Sequence, residues 1–382
     1  MRILFINPYY YPNNTGGTER VLKLLADELV CMGNSVAVFT GDGKNKTITD
    51  EFIDSVRVYR GVKGTPTVDR PSNGFNYFTN RIVNLYNAGI KKELNAVIDD
   101  FKPDVIHTQN LFGMSANVWV IAKKRGIPVV HTTHDYWMLE KKRFLWYRRY
   151  SSIVSMATAP SEFTAKHFVE CGMFLSDKMC VIPNGMVMNE KQHRVCVAEK
   201  LERDSSTPIK FLYAGQLTKD KGVDHLLHAF SNLSDLPIDL YICGKGPLAE
   251  MCYEFEKKNS RIHAMGLLSY DQMEKMYHAT DVLVAPSVWA EPFGMVAIEA
   301  LYYGLPVIAG DRGGLGEIIR HVGIGKLVNG NDEEQITNAI IEYSDRKRLK
   351  KELKQISDSI FDYTVQNQAS RFLQFYNKVL GR

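Results

Sequence analysis

Short apolar runs alternate with amphipathic stretches along almost the whole chain. In the first half, residues 2–7, 35–40, 56–59, 104–108, 128–132, 153–158 and 179–182 read as strands. In the second half the strand runs are 210–214, 239–243, 262–265, 281–285, 306–309 and 326–328. Amphipathic helices fit between them. Residues 19–32 put Leu22, Leu25, Ala26 and Leu29 on one face, and Gly33 follows as a C-terminal cap signal. A last helix over 364–380 carries Phe372, Phe375, Tyr376 and Val379 at helical spacing. Strands that are apolar on both faces belong in parallel sheets covered by helices on either side. The pattern therefore predicts an α/β chain of two Rossmann-like domains. The division falls near Pro183-Asn184-Gly185, after which 189–208 reads as a polar stretch. The expected domains are 1–185, 186–363, and a C-terminal helix at 364–382 that packs back on the first.

Composition narrows the function classes. A length of 382 residues with 45% hydrophobic and 24% charged residues allows two sizeable cores. Disordered, collagen-like and disulfide-scaffold classes are excluded. The net charge of +4 is too small to argue for nucleic acid. The six cysteines lack metal-finger spacing and read as reduced, mostly buried thiols of a cytoplasmic protein. The start, MRILFINPYYYP, reads as a first strand and not as a signal peptide. No apolar run reaches the roughly 18 residues of a membrane-spanning helix.

Candidate chemistry concentrates at 285–308, APSVWAEPFGMVAIEALYYGLPVI. A strand ends near Pro286, and a helix starts near Met295. Free N–H groups at a helix start, with the helix dipole behind them, bind phosphate. Gly294 lets an anion approach the backbone. Glu291 and Glu299 flank that start and cannot favour phosphates, but can accept hydrogen bonds from hydroxyls at either end of a diphosphate. An acid holding a ribose diol is a known Rossmann arrangement. The plain alternative is a helix with one capping and one solvated glutamate. A second loop, FLYAGQLTKDKG (211–222), ends a strand at Gly215 and puts Lys221 before a helix. CGKGP (243–247) is a glycine-rich turn around Gly244, and MGLL (265–268) ends another strand. Each of these alone is also an ordinary turn or surface lysine. In the first half, NNTGGTER (13–20) brings Gly16 and Gly17 to a helix start, where Thr18 is an alternative N-cap. HTTHDYW (131–137) follows a strand. Its two histidines lack further ligands at zinc spacing, so no metal is expected, and His131 reads as structural.

In order and setting these segments resemble the retaining GT-B glycosyltransferases, and most closely glycosyltransferase family 4 (glycosyl transferases group 1). Glu291 and Glu299, seven residues apart, match the family's E-x7-E motif. The resemblance implies that Glu291 contacts the donor sugar, Glu299 the nucleotide ribose, and the backbone of Phe293, Gly294, Met295 and Val296 the diphosphate. Lys221 matches the family's K-G loop, whose basic residues neutralise the diphosphate. Gln216 stands where the family places an arginine, an amide that donates hydrogen bonds without charge. Gly215, Gln216 and Gly244 would line the donor pocket, and Leu267 would border the nucleobase. Gly16 and Gly17 match the G-G-x-E loop facing the reacting centre. His134 matches the histidine near the donor sugar. Glu291, His134 and Lys221 are thus the expected catalytic residues. Ser161 and Pro183-Asn184-Gly185 also match family signatures, but each is as well explained by structure alone.

The implied fold is GT-B, two Rossmann-like domains with parallel sheets facing a central cleft, the C-terminal one binding the nucleotide sugar and the N-terminal one the acceptor. The implied reaction transfers a sugar from a nucleotide-diphosphate sugar to an acceptor hydroxyl with retention, in polysaccharide or glycolipid assembly. Both glutamates in one helix would lie about 12 Å apart along its axis, too far for the two-carboxylate pair of a retaining glycosidase. Front-face attack is what the resemblance implies. No D-x-D triplet occurs, so no cofactor is expected and the helix start with Lys221 would carry the phosphate charge. KKRFLWYRRY (141–150) interleaves basic and aromatic residues. Lys141, Lys142, Arg143, Trp146, Arg148 and Arg149, with Tyr77, Phe78, Arg81, Lys91 and Lys92, suit an anionic membrane surface or an amphipathic cleft helix. The expected place is the cytoplasm, with the inner membrane face as a docking site. Two rival classes stand beside the transferase: a catalytically weakened nucleotide-sugar-binding protein, prompted by Gln216, and a nucleotide-sugar epimerase. An oxidoreductase ranks low, because G-x-G-x-x-G is missing after the first strand.

Overall fold

Every run read as a strand overlaps an observed one. The computed structural model describes residues 1–13, 16–41, 47–61, 87, 89–204, 206–355 and 358–382. Tyr77, Phe78 and Arg81 lie outside the described residues. Met1–Val187 together with Val365–Arg382 form one unit, and Met188–Thr364 form another.

The first unit holds eight strands: β1 (Arg2–Ile6), β2 (Ser35–Thr40), β3 (Thr49–Ile53), β4 (Val56–Arg60), β5 (Val105–Thr108), β6 (Val129–Thr132), β7 (Met156–Ala159) and β8 (Met179–Val181). Their order is β3-β4-β2-β1-β5-β6-β7-β8. All neighbours are parallel except β3 and β4. The sequence pattern did not announce β3. Its residues, TDEFI, show no buried face, and it forms the outer arm of a hairpin with β4. The interior strands are buried on both faces, as parallel strands under two helix layers must be. The helix Gly17–Cys31 buries Leu22, Leu25, Ala26 and Leu29.

The helix Val365–Leu380 closes this unit. Phe372 and Tyr376 are buried against the sheet core. Tyr376 Oη sits 2.6 Å from His107 Nδ1, and His107 Nε2 sits 2.7 Å from Thr132 Oγ1, which meets Thr158 Oγ1 at 2.6 Å. A buried polar chain of this kind is tolerated because each member has a partner.

The second unit holds six strands, all parallel: β9 (Ile209–Ala214), β10 (Ile238–Cys243), β11 (Ile262–Gly266), β12 (Val282–Ala285), β13 (Val307–Gly310) and β14 (Gly325–Val328). Their order is β11-β10-β9-β12-β13-β14. The polar stretch at 189–208 needs correction, because most of it is a helix, Glu190–Glu202. The Asn189 side chain caps it by accepting from Gln192 N–H at 3.1 Å. Its inward positions are His193, Cys196 and Lys200. Two of those three are polar, so no apolar stripe marks it in the sequence. The six cysteines are free, but only Cys196, Cys243 and Cys252 are buried, fewer than expected.

Candidate active site

In an open parallel sheet, ligands gather outside the carboxyl ends of the strands where the strand order reverses. The second unit reverses between β9 and β12, which are hydrogen-bonded neighbours. The loop after β9 carries Gly215, Gln216 and Lys221. The loop after β12 carries Glu291, Phe293 and Gly294. Across that point Lys221 Nζ donates to Glu291 Oε1 at 2.7 Å, with both side chains about one-fifth exposed (23% and 20%). Asp220 O ties the two loops by accepting from the N–H groups of Val288 and Trp289 at 2.9 and 3.0 Å.

The helix Met295–Tyr302 begins at Gly294, with no side chain capping its start and no acid in its first turn. Phe293 is buried, while Gly294, Met295 and Val296 remain partly accessible. Such a start offers N–H donors and a positive dipole end. One turn on, Glu299 Oε2 accepts from the Tyr277 hydroxyl at 2.8 Å. The two glutamates are therefore held differently, one by an ammonium and one by a phenol. Sequence reasoning missed both pairings, since neither partner is near in the chain.

Close backbone approach explains two glycines here. A Cβ at Gly313 would lie 2.3 Å from Glu291 O, and one at Gly244 would lie 1.8 Å from Gly215 O. Gly314 N–H donates to Glu291 O at 2.7 Å, so Gly313 lets the helix Gly313–Val322 press against the loop that presents Glu291. Gly215 N–H donates to Cys243 O at 3.0 Å. Gln216 is exposed, and its backbone carbonyl accepts from Tyr213 Oη at 2.7 Å. Leu267 is 66% exposed beyond the edge strand β11.

The first unit has its own reversal, between β1 and β5. Asn7 follows β1, and its Oδ1 accepts from Asn110 N–H at 3.2 Å beyond β5. Its Nδ2 donates to Tyr9 O at 2.7 Å. Gly16 and Gly17 open the helix, and Glu19 Oε2 accepts from Gly16 N–H at 2.9 Å. Glu19 thus caps the helix from inside, and the N-cap is Gly16 and not Thr18. Among the described residues a Cβ at Gly17 would meet no atom within 4 Å.

His134 is half-buried and its Nε2 lies 3.0 Å from Gln109 Oε1, beyond β5. An amide oxygen only accepts, which assigns the His134 proton to Nε2. Burial lowers the His134 pKa to about 4, so the ring is neutral at pH 7. Its N–H already serves Gln109. Asp135 accepts from Asn110 Nδ2 at 3.0 Å and from Trp137 N–H at 2.8 Å, and burial raises its pKa. His131 is buried, 2.9 Å from Thr108 Oγ1, and burial lowers its pKa to about 3.

The basic segment forms the helix Lys141–Ser151. Tyr147 is fully buried, and Phe144, Trp146 and Tyr150 lean on the core of the first unit. Trp146 is thus partly used for packing. Leu145, Arg148 and Arg149 face outward, as do Lys91 and Lys92. Among the described residues, no helix is long and apolar enough to cross a membrane.

Residues 15–189 match the family model described as Glycosyltransferase Family 4, and residues 199–359 match Glycosyl transferases group 1. A Klebsiella pneumoniae protein described as an uncharacterized 42.6 kDa protein in the cps region is 28% identical over 346 residues, covering 84% of this chain and 88% of its own. Among solved structures, sucrose-phosphate synthase from Thermosynechococcus elongatus superposes with a TM-score of 0.76 at 19% identity, covering 100% of this chain and 99% of that one. Anabaena HepE in complex with UDP-glucose gives a TM-score of 0.70 at 16% identity, covering 99% of this chain and 100% of that one. At such identities the structural likeness speaks for the GT-B fold.

Proposed function

The chain belongs to the GT-B glycosyltransferases of the family 4 and group 1 type, and from that premise we propose that it moves a sugar from a nucleotide-diphosphate sugar to an acceptor hydroxyl with retention of configuration. The observation that carries this reading is the uncapped helix start at Gly294, flanked by the Lys221–Glu291 pair and by Glu299. The diphosphate lies on the N–H groups of that start. Lys221, already at the site, neutralises its charge. Glu291 accepts from sugar hydroxyls and Glu299 from the ribose. The departing phosphate takes the acceptor's proton in a front-face attack, so catalysis rests on positioning and on charge stabilisation at the leaving oxygen. Gly16, Gly17 and the loop carrying His134 belong to the acceptor-binding unit.

The HepE complex with UDP-glucose supports a nucleotide-sugar donor, and the acceptor hydroxyl is proposed to belong to a polysaccharide or a lipid-linked sugar. The reaction is proposed to be metal-independent and cytoplasmic, at the inner membrane face through the basic helix with Leu145, Arg148 and Arg149. Glu291→Ala is expected to abolish transfer while circular dichroism and the melting temperature stay unchanged. Wild-type turnover by that variant would overturn the assignment. The weakened-binder reading is prompted by Gln216, exposed in the donor loop. Ligand binding without transfer or donor hydrolysis, in EDTA or with added divalent ions, would select it.

A further inference from the structure

The carboxylate of Glu299 is set by a residue from a different helix. Tyr277 lies near the end of the helix Tyr270–Ala279, is only 4% exposed, and donates its hydroxyl to Glu299 Oε2 at 2.8 Å. A buried phenol needs an acceptor, and a carboxylate that accepts from it loses side-chain freedom. The Tyr277 ring has little room to turn. It stacks on Tyr303 with centroids 5.3 Å apart and planes 5° from parallel. Tyr303 in turn donates to Glu274 Oε1 at 3.0 Å.

The main chain beneath Tyr277 is also held. Its helix ends at Thr280 in extended geometry (φ −105°) and without a left-handed cap, so its last carbonyls need outside donors. Lys200 supplies them. Its Nζ donates to Tyr277 O, His278 O and Thr280 O at 2.6, 2.7 and 2.5 Å. In the charged form all three ammonium protons are thereby used, at the negative end of a helix dipole, while burial and then the neighbouring Arg203 lower the Lys200 pKa to about 7. Arg203 Nη1 adds a bond to Thr280 O at 3.0 Å and one to Asp281 Oδ1 at 2.6 Å, and Arg346 Nη1 reaches the same Oδ1 at 3.2 Å. The backbone of Tyr277 is gripped from one side while its hydroxyl reaches Glu299 on the other.

We propose that Tyr277 is a positioning residue for nucleotide recognition, holding Glu299 in the rotamer that meets the ribose hydroxyls, with Lys200 anchoring the chain that carries it. This rests on the proposed role of Glu299 as the ribose acid. The effect belongs to ribose selectivity, the ratio of affinities for a ribonucleotide and its dideoxy counterpart.

The test is calorimetry on the full chain with UDP, GDP and ADP. The tightest binder is then compared with its 2′,3′-dideoxy form in wild type, Glu299→Gln, Tyr277→Phe and the double variant. Tyr277→Phe keeps the ring stack and removes only the donor. It is expected to weaken the ribonucleotide about three- to tenfold and the dideoxynucleotide by less than twofold, and to add nothing to Glu299→Gln. A wild-type affinity for both ligands in Tyr277→Phe, an equal loss for both, or an additive double variant would overturn the proposal. Should Glu299→Gln itself bind the ribonucleotide as wild type does, or should no nucleotide bind, the ribose-acid reading falls and takes this inference with it. A loss in Glu299→Gln without one in Tyr277→Phe removes only the inference.

Discussion

The glycines that border the loops of the two strand-order reversals look alike in sequence and differ in space. In the second unit, a side chain at Gly244 or Gly313 would run into main-chain oxygen closer than any Cβ can come. In the first unit, a side chain at Gly17 would meet nothing among the described residues, and Gly17 has no positive φ to explain it. The crowded glycines are demanded by the protein's own packing. The open one leaves room that no described protein atom uses, as a bound sugar or phosphate would require.

The largest effect expected from this contrast is at Gly244. Gly244→Ala must displace the backbone at Gly215 and is expected to cost on the order of 3 kcal/mol, the upper end of ordinary overpacking. Urea unfolding of the second unit reports it, and a loss under about 1 kcal/mol would show that the two loops can separate.

The first unit has a different weakness, in buried imidazoles. Burial holds the His107 pKa well below its ordinary value and lowers those of His131 and His134 to about 3 and about 4. These rings stay neutral when folded but gain a proton when unfolded below about pH 6.5. The stability they contribute is fully present above pH 6.5 and is lost as pH falls toward the folded values. Each ring removes at most about 1.4 kcal/mol per pH unit in that window. Three of the four tryptophans, Trp119, Trp137 and Trp146, lie in this unit, so fluorescence-detected unfolding at pH 8, 6.5 and 5 follows it. A flat profile between pH 6.5 and 5 would mean that the rings are protonated in the fold.

The smallest stability effect is expected at Gly17. Gly17→Ala is compatible with a helix start and should leave the unfolding free energy unchanged or slightly raised, by about 0.4–1 kcal/mol at most. Transfer, in contrast, should fall at least about tenfold if a substrate uses that space, since tenfold corresponds to about 1.4 kcal/mol. A variant that loses stability and activity together would erase the distinction between the two kinds of glycine.

The apolar strands and the glutamates at the helix start were legible because they depend on local pattern: runs with no polar face, and a glycine followed by a helix. The strand β3 was not legible, because TDEFI has no buried face and owes its geometry to the hairpin partner. Nor was the helix Glu190–Glu202, whose inward residues include a lysine and a histidine. Only Asn189, as a cap, hinted at it. The site's motif positions could be read, but its partners could not. Lys221 meets Glu291 and Tyr277 meets Glu299 through bonds that the sheet order creates. Nothing in the spacing of those residues encodes a contact across strands.

The helix Val365–Leu380 packs on the sheet whose first strand starts at Arg2. Along the sequence, the second unit is therefore an insertion in the first. On a ribosome the strands β1 to β8 emerge long before Phe372 and Tyr376, and His107 waits without its phenol partner until that helix is made. The inserted unit has all its residues in one stretch and can finish folding first, which reverses the usual N-terminal priority. A stall anywhere before Phe372 would leave the core of the first unit without the aromatic side chains of its last helix and open to water.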